Sequence, residues 1–224
     1  YFPLPGGDLA IREPWRTGLS ILNHLGIPWD KNIPSVSFAK SVPESMPGII
    51  PIEVIQKQLA AGTNAPLTSS MGRLFDAVAS LTGVCHTISY EGQAAIEFEA
   101  LLDPDETGLY PLVISRENIF QPGPIIKNIL EDSQKGVSIS VISARFHNTL
   151  AELVLQMALR LKESHHLTKV ALSGGVWQNM SLLEKSINKL KLGGFQVFIH
   201  QQIPPNDGGI SLGQAVIGQK FLSV

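Results

Sequence analysis

Lys169-Val170-Ala171-Leu172-Ser173-Gly174-Gly175-Val176-Trp177-Gln178-Asn179 changes character in mid-run, and the rest of the chain is best understood from it. Its first five residues predict a short, mostly apolar strand that Gly174-Gly175 stops at once. Asn179 to Leu192 then predicts a helix, Phe195–His200 a second strand and Gly208–Gln219 a final helix. Strand, helix, strand and helix joined by short connections predict a βαβ unit with a parallel strand pair. Two readings of the glycine pair are open. Paired glycines between a strand end and a helix start let a ligand approach bare backbone, and the helix N-terminus behind them suits phosphate. Asn179, one turn in, could hydrogen-bond a sugar or base edge. The plainer reading is a tight strand-to-helix turn. Neither GxxxxGK[ST] nor GxGxxG occurs, so the common phosphate-loop and dinucleotide fingerprints are absent.

Upstream the periodicity is helical. Ile11–Leu25 predicts a helix stopped by Gly26-Ile27-Pro28, Lys31–Pro51 with its prolines predicts a loop, and Ile52–Ala60 a helix closed by Gly62. Thr68, Ser69 or Ser70 is a candidate cap for a helix carrying Met71, Leu74, Phe75, Val78 and Leu81 on one face, with Gly83 at its end. A helix over Gly92 to Leu102, a strand over Leu109–Ser115, a short helix over Pro124–Leu130 and a long one from Ile142 to about Ser164 complete the reading. The whole is a helix-rich α/β domain, with a division near residue 140.

The 224 residues are 44% hydrophobic and 16% charged, with 17 basic and 19 acidic side chains and a net charge of −2. That balance argues against a nucleic-acid or anionic-membrane binder, which needs a basic excess. No apolar run reaches the roughly 18–20 residues that span a bilayer. One cysteine, Cys85, allows no internal disulfide and no cysteine-built zinc site, which points to a reducing, cytoplasmic setting. The chain starts at Tyr1 without a signal-peptide pattern and reads as a piece of a longer protein.

Further residues carry chemistry in principle. In Pro204-Pro205-Asn206-Asp207-Gly208-Gly209, stiff prolines and free glycines flank a carboxylate that could ligate a hard cation; the alternative is an ordinary helix cap. Asp76 lies off the apolar stripe beside Arg73, where a solvated ion pair is the default. Glu91 suits a helix start, His147 beside Phe146 suits packing, and Cys85 has no neighbour to lower its pKa. No HExxH or HxxxH pair is present.

Taken together, Gly72-Arg73-Leu74-Phe75-Asp76-Ala77-Val78-Ala79, Tyr90-Glu91-Gly92-Gln93-Ala94-Ala95, Phe146-His147, Leu172 through Asn179 and Pro205 through Gln214, with Pro3-Leu4-Pro5-Gly6-Gly7-Asp8 and Arg12-Glu13-Pro14-Trp15-Arg16, resemble the C-terminal part of the HypF family of hydrogenase maturation carbamoyltransferases. The resemblance implies a partial Kae1/TsaD-like lobe of the actin/sugar kinase/Hsp70 group over residues 1–224, helical to about 140 and βαβα from about 141. It also implies ATP-dependent carbamoyl transfer from carbamoyl phosphate, through carbamoyl-adenylate, to the C-terminal cysteine of the partner protein HypE, in making the cyanide ligand of NiFe hydrogenase. Asp76 matches the family helix aspartate that contacts the nucleotide ribose. Gly92 and Glu97 fall near a second nucleotide segment with an offset of about one residue. Gly174, Gly175 and Asn179 match the adenosine-side loop, followed by Gly208. Asp207 matches a ligand of a divalent metal, zinc or iron, and Mg accompanies the nucleotide. The family's HHxxH and GTGYG motifs, its first lobe and its upstream domains are not in this sequence, so the metal set is incomplete and the fragment is expected to be poorly active alone. Two alternatives stand beside this: a tRNA threonylcarbamoyladenosine-type transferase of the same fold group, and a noncatalytic lobe that binds nucleotide or docks a partner.

Overall fold

The computed structural model describes residues 1–45 and 52–222. In chain order it contains β1 (Phe2–Pro3), α1 (Asp8–Arg12), α2 (Pro14–His24), α3 (Pro34–Ser45), α4 (Ile52–Ala61), β2 (Leu67–Thr68), α5 (Met71–Leu81) and α6 (Gln93–Ala100). There follow β3 (Val113–Ile114), β4 (Phe120–Gln121), α7 (Gly123–Gln134), α8 (Ile139–His165), β5 (Lys169–Leu172), α9 (Met180–Leu192), β6 (Gln196–Ile199) and α10 (Ile210–Leu222). The chain forms two compact units, Tyr1–Val113 with Gln121–Phe146 and Ile114–Phe120 with His147–Val224. The division falls inside α8. None of the described helices is long and apolar enough to cross a membrane.

The first unit is helical because its apolar residues recur at helical spacing and bury one another. Trp15, Leu19, Ile21 and Leu22 of α2 and Phe75, Val78 and Leu81 of α5 are all buried. Phe146 meets Phe75 edge-on at 5.0 Å and Phe98 at 5.9 Å between ring centroids, arrangements that add to area burial. Gly18 sets the closeness of α2 to its neighbours, since a Cβ there would lie 2.5 Å from Ser35 Oγ. Ser70 caps α5, its hydroxyl accepting from the Arg73 N–H at 3.4 Å. β1 pairs with β2 antiparallel, Phe2 opposite Thr68.

Three expectations change here. The single helix over Ile11–Leu25 is two, because Pro14 lacks the N–H that would continue α1 but fits the first position of α2. The loop expected over Lys31–Pro51 contains α3: Pro34 occupies a helix start, where a missing donor costs nothing, and burial of Ile33, Val36 and Ala39 outweighs the local prolines. Residues 46–51 of that expected loop lie outside the described residues. The strand over Leu109–Ser115 shrinks to Val113–Ile114, while Tyr110 is buried with its hydroxyl donating to Asp132 Oδ2 at 3.1 Å.

The second unit is the βαβ element. β5 and β6 are parallel, Lys169 opposite Gln196 and Leu172 opposite Ile199. Its core joins Ala158, Leu172, Leu190 and Phe195, against which Val154, Trp177, Leu183 and Ile187 pack. Lys189 on α9 meets Glu152 on α8 at 2.6 Å. Arg160 donates to the Ser115 carbonyl at 2.8 Å, fixing the 114–120 turn to α8.

Candidate functional site

In the second unit the chain leaves β5 through an open backbone corner. Gly174 has φ 110° and ψ 160°, a region essentially reserved for glycine. A Cβ there would meet nothing within 4 Å. Its N–H donates to the Pro205 carbonyl at 2.7 Å, and a Cβ on Gly175 would lie 3.9 Å from Asn206 Cβ. The two glycine-bearing motifs are thus brought side by side. A 3-10 turn, Gly175–Gln178, follows, closed by Trp177 N–H to Gly174 O at 3.1 Å, and Trp177 anchors it to the core. Ser173 and His200, one from just past each strand, share a hydrogen bond of 2.9 Å between Oγ and Nε2. All of this lies at the carboxyl ends of parallel strands, where α/β folds receive ligands.

Not every residue singled out from the sequence faces that corner as expected. Asn179 lies at the N-cap of α9, not one turn in. Its Oδ1 accepts from the Leu182 N–H at 2.8 Å, which leaves Nδ2 to donate to His147 Nε2 at 2.9 Å. Both residues are buried, so Asn179 orients the helix and fixes a neutral imidazole with Nε2 as acceptor; it is not an exposed amide awaiting a sugar or base. The helix start behind the glycines is likewise displaced by the 3-10 turn. Asp207 is exposed and is not the cap of its turn; Asn206 is, with its side chain accepting from the Gly208 N–H at 3.1 Å. Gly208 is tight, with a Cβ there 3.0 Å from Pro204 Cγ, so packing within the loop accounts for its lack of a side chain.

A metal at Asp207 would find one carboxylate. Among the described residues no three His, Cys, Asp or Glu side chains form a metal-holding group. The donor set present does not by itself fit the divalent ion that the resemblance implies.

Asp76, Gly92 and Glu97 belong to the first unit. Asp76 is 2% exposed, and its Oδ2 lies 2.7 Å from Arg73 Nη1, itself on a mostly buried side chain. The expected solvated pair is therefore a buried one. Desolvation pushes the Asp76 carboxyl up to about 6, the Arg73 charge pulling against it. From Leu74 to Leu81 every residue of α5 is buried, and Asp76 is the one charged group in that run. Gly92 caps α6 with φ 81°, a backbone role. Glu97 accepts from Gln93 Nε2 at 2.7 Å and faces the Cys85 thiol. Burial first, then Glu97, pushes that thiol up to about 11, which makes it a poor nucleophile. Sequence reasoning gave no weight to Ser173–His200 or to Asn179–His147, because each pair is joined only by folding.

An open glycine corner at the ends of parallel strands in one unit, and a helix-rich second unit in the same chain, fit the Kae1-like class of carbamoyltransferase domains. Residues 1–214 match the family described as carbamoyltransferase, Kae1-like domain, second subdomain. The chain belongs to that family, as part of the HypF carbamoyltransferases. It is 40% identical over 162 residues to carbamoyltransferase HypF of Synechocystis sp., covering 70% of this chain and 20% of that protein. It is 34% identical to HypF of Rhodobacter capsulatus, over 96% of this chain and 26% of that one. Among solved structures, full-length HypF in a phosphate- and nucleotide-bound form superposes with a TM-score of 0.83 at 40% identity, covering all of this chain and 28% of that one. HypF of T. kodakarensis superposes with a TM-score of 0.81 at 29% identity, over all of this chain and 29% of that one. The chain thus spans about a quarter of the length of these relatives.

Proposed function

We propose that this chain is the nucleotide-holding second half of a carbamoyl-transfer module. The single observation that carries the reading is the bare corner at Gly174, with the Asn206–Asp207 loop hydrogen-bonded beside it. Its similarity to a HypF solved with phosphate and nucleotide supports the same reading. The substrate would be carbamoyl-adenylate, made from carbamoyl phosphate and ATP with Mg. The acceptor would be the C-terminal cysteine of HypE, in cyanide-ligand synthesis for NiFe hydrogenase in the cytoplasm.

In that step the acceptor's thiolate sulfur attacks the carbamoyl carbon, an S–C bond forms, the carbamoyl–phosphate C–O bond breaks, and AMP leaves with the electron pair. This chain then supplies no nucleophile, in keeping with the protonated Cys85 thiol. Its task is to hold the adenylate: bare backbone at Gly174 and Gly175 gives a close approach, and the Ser173 hydroxyl, tethered to His200, offers a directed hydrogen bond. Asp207 would add one ligand to a zinc or iron ion completed from elsewhere.

Calorimetry with AMP and ATP tests the reading. The chain should bind AMP, and Gly175→Val should abolish that binding with circular dichroism unchanged, since the corner is filled while Gly175 carries no positive-φ demand. Absence of heat with the unsubstituted chain, or undiminished binding by Gly175→Val, would overturn it. Asn179→Ala is unsuited to this purpose because it removes a helix cap.

A further inference from the structure

The first unit holds a feature that carbamoyl transfer at the Gly174 corner does not use. Gly6, Gly7, Asp8, Leu9, Arg12 and Asn64 wall an open cavity of about 530 Å³. Arg16 lies behind it. Its side chain is 1% exposed, its Nε is paired with Glu13 Oε2, and its guanidinium stacks on Trp15 at 4.8 Å from the ring centroid. Its Nη1, by contrast, is buried with no hydrogen-bond partner among the described residues. A buried guanidinium N–H left without an acceptor costs more than an ordinary hydrogen bond returns, so such an atom calls for an explanation. This one ends beside Gly6: a Cβ on that wall residue would lie 3.4 Å from Nη1. The bare face of Gly6 is what brings the donor next to the cavity.

A second guanidinium faces the same place. Arg12 lines the cavity, is exposed and makes no ion pair among the described residues. Asn64, with φ 48°, accepts from the Gly6 N–H through its own carbonyl at 2.8 Å, and its side-chain Oδ1 lies 3.6 Å from where a Gly7 Cβ would be. The left-handed backbone at Asn64 therefore turns its side-chain carbonyl oxygen, an acceptor, toward the glycine pair. Two guanidiniums form a donor set for an oxygen-rich anion, with the fork geometry that arginine gives carboxylate and phosphate alike. Asp8 at the rim and Glu13 on Arg16 balance the two positive charges, so recognition rests on directed hydrogen bonds and not on a net field.

We propose that this cavity binds the carboxylate or phosphate group of a small molecule, held by Arg12 and Arg16 Nη1. The inference is independent of the nucleotide reading and stands or falls on different residues.

Titration of the 224-residue chain with sodium phosphate and, separately, sodium acetate, at ionic strength held constant with chloride, tests it by NMR of the arginine guanidinium and tryptophan indole N–H resonances. One of the two ions should saturate a shift of the Arg16 and Trp15 signals, and which ion does so distinguishes phosphate-bearing from carboxylate ligands. Arg12→Gln, an exposed change that leaves the fold intact, should weaken that binding about tenfold. No saturable shift with either ion would overturn the proposal, as would affinity unchanged in Arg12→Gln. Arg16→Lys is a secondary probe, since burial of Arg16 couples its binding role to folding.

Discussion

The Gly174 corner and the Asp76 pocket make opposite use of their sequence. At the corner the chemistry is backbone: one glycine-only conformation, open space where a side chain would be, and exposed Ser173 with half-buried His200 beside it. Around Asp76 the chemistry is side chain: a carboxyl, a guanidinium, a thiol and Glu97, all wholly or partly withdrawn from water, with two of them titrating far from their usual ranges. The first arrangement leaves room to receive a molecule; the second stores electrostatic cost inside a packed helix. Both segments match family motifs. Matching motifs do not imply matching jobs, and the two regions respond to different perturbations.

The largest expected effect is on the Asp76 side. Below about pH 4 its carboxyl is protonated in folded and unfolded chains alike; between 3.8 and about 6 only the folded chain holds the proton, and above that the folded state carries a buried charge. Its contribution to stability therefore falls as pH rises from 4 to 7, by roughly 3 kcal/mol. Asp76→Asn removes this dependence, so urea unfolding at pH 4 and pH 7 should show the variant gaining on the parent as pH rises. A flat difference would mean that the pocket is wetter than its burial implies. Next, Asn179→Ala should cost about 2 kcal/mol by losing the cap and the bond to buried His147. Asn179→Asp should recover the cap's share but not the donor to Nε2. Equal losses in the two variants would show that the cap contributes little. Smallest, and sharpest for the corner, Gly174→Ala should cost about 1 kcal/mol or more through backbone strain alone, whereas Gly175→Ala should stay within about 0.5 kcal/mol. Thermal melts of the pair settle it; equal midpoints would remove the conformational reason for Gly174.

Legibility followed the range of the forces involved. The α5 helix was readable to its ends because its signals are local: a hydroxyl at Ser70, apolar residues at helical spacing and Gly83 after the last turn. The parallel strand pair was readable because alternating short strands and helices leave few other topologies. α3 was hidden because prolines dominate its local signal, whereas Ile33, Val36 and Ala39 express their preference only once there is a core to enter. The depth of Asp76 was hidden for a related reason. Its stripe position says which way it points on a lone helix, not whether that helix is covered all round.

By itself the sequence determined the helix-rich α/β class, the strand–glycine–helix turn and the family to which the chain belongs, since each depends on residue order over a few positions. Tertiary structure alone decided that Gly174 meets Pro205, that Asn179 holds His147, that Arg16 is buried with one donor unpaired among the described residues, and that Asp76 is buried. Those outcomes depend on which surfaces exclude water from which others, a property of the assembled chain that no stretch of residues carries alone.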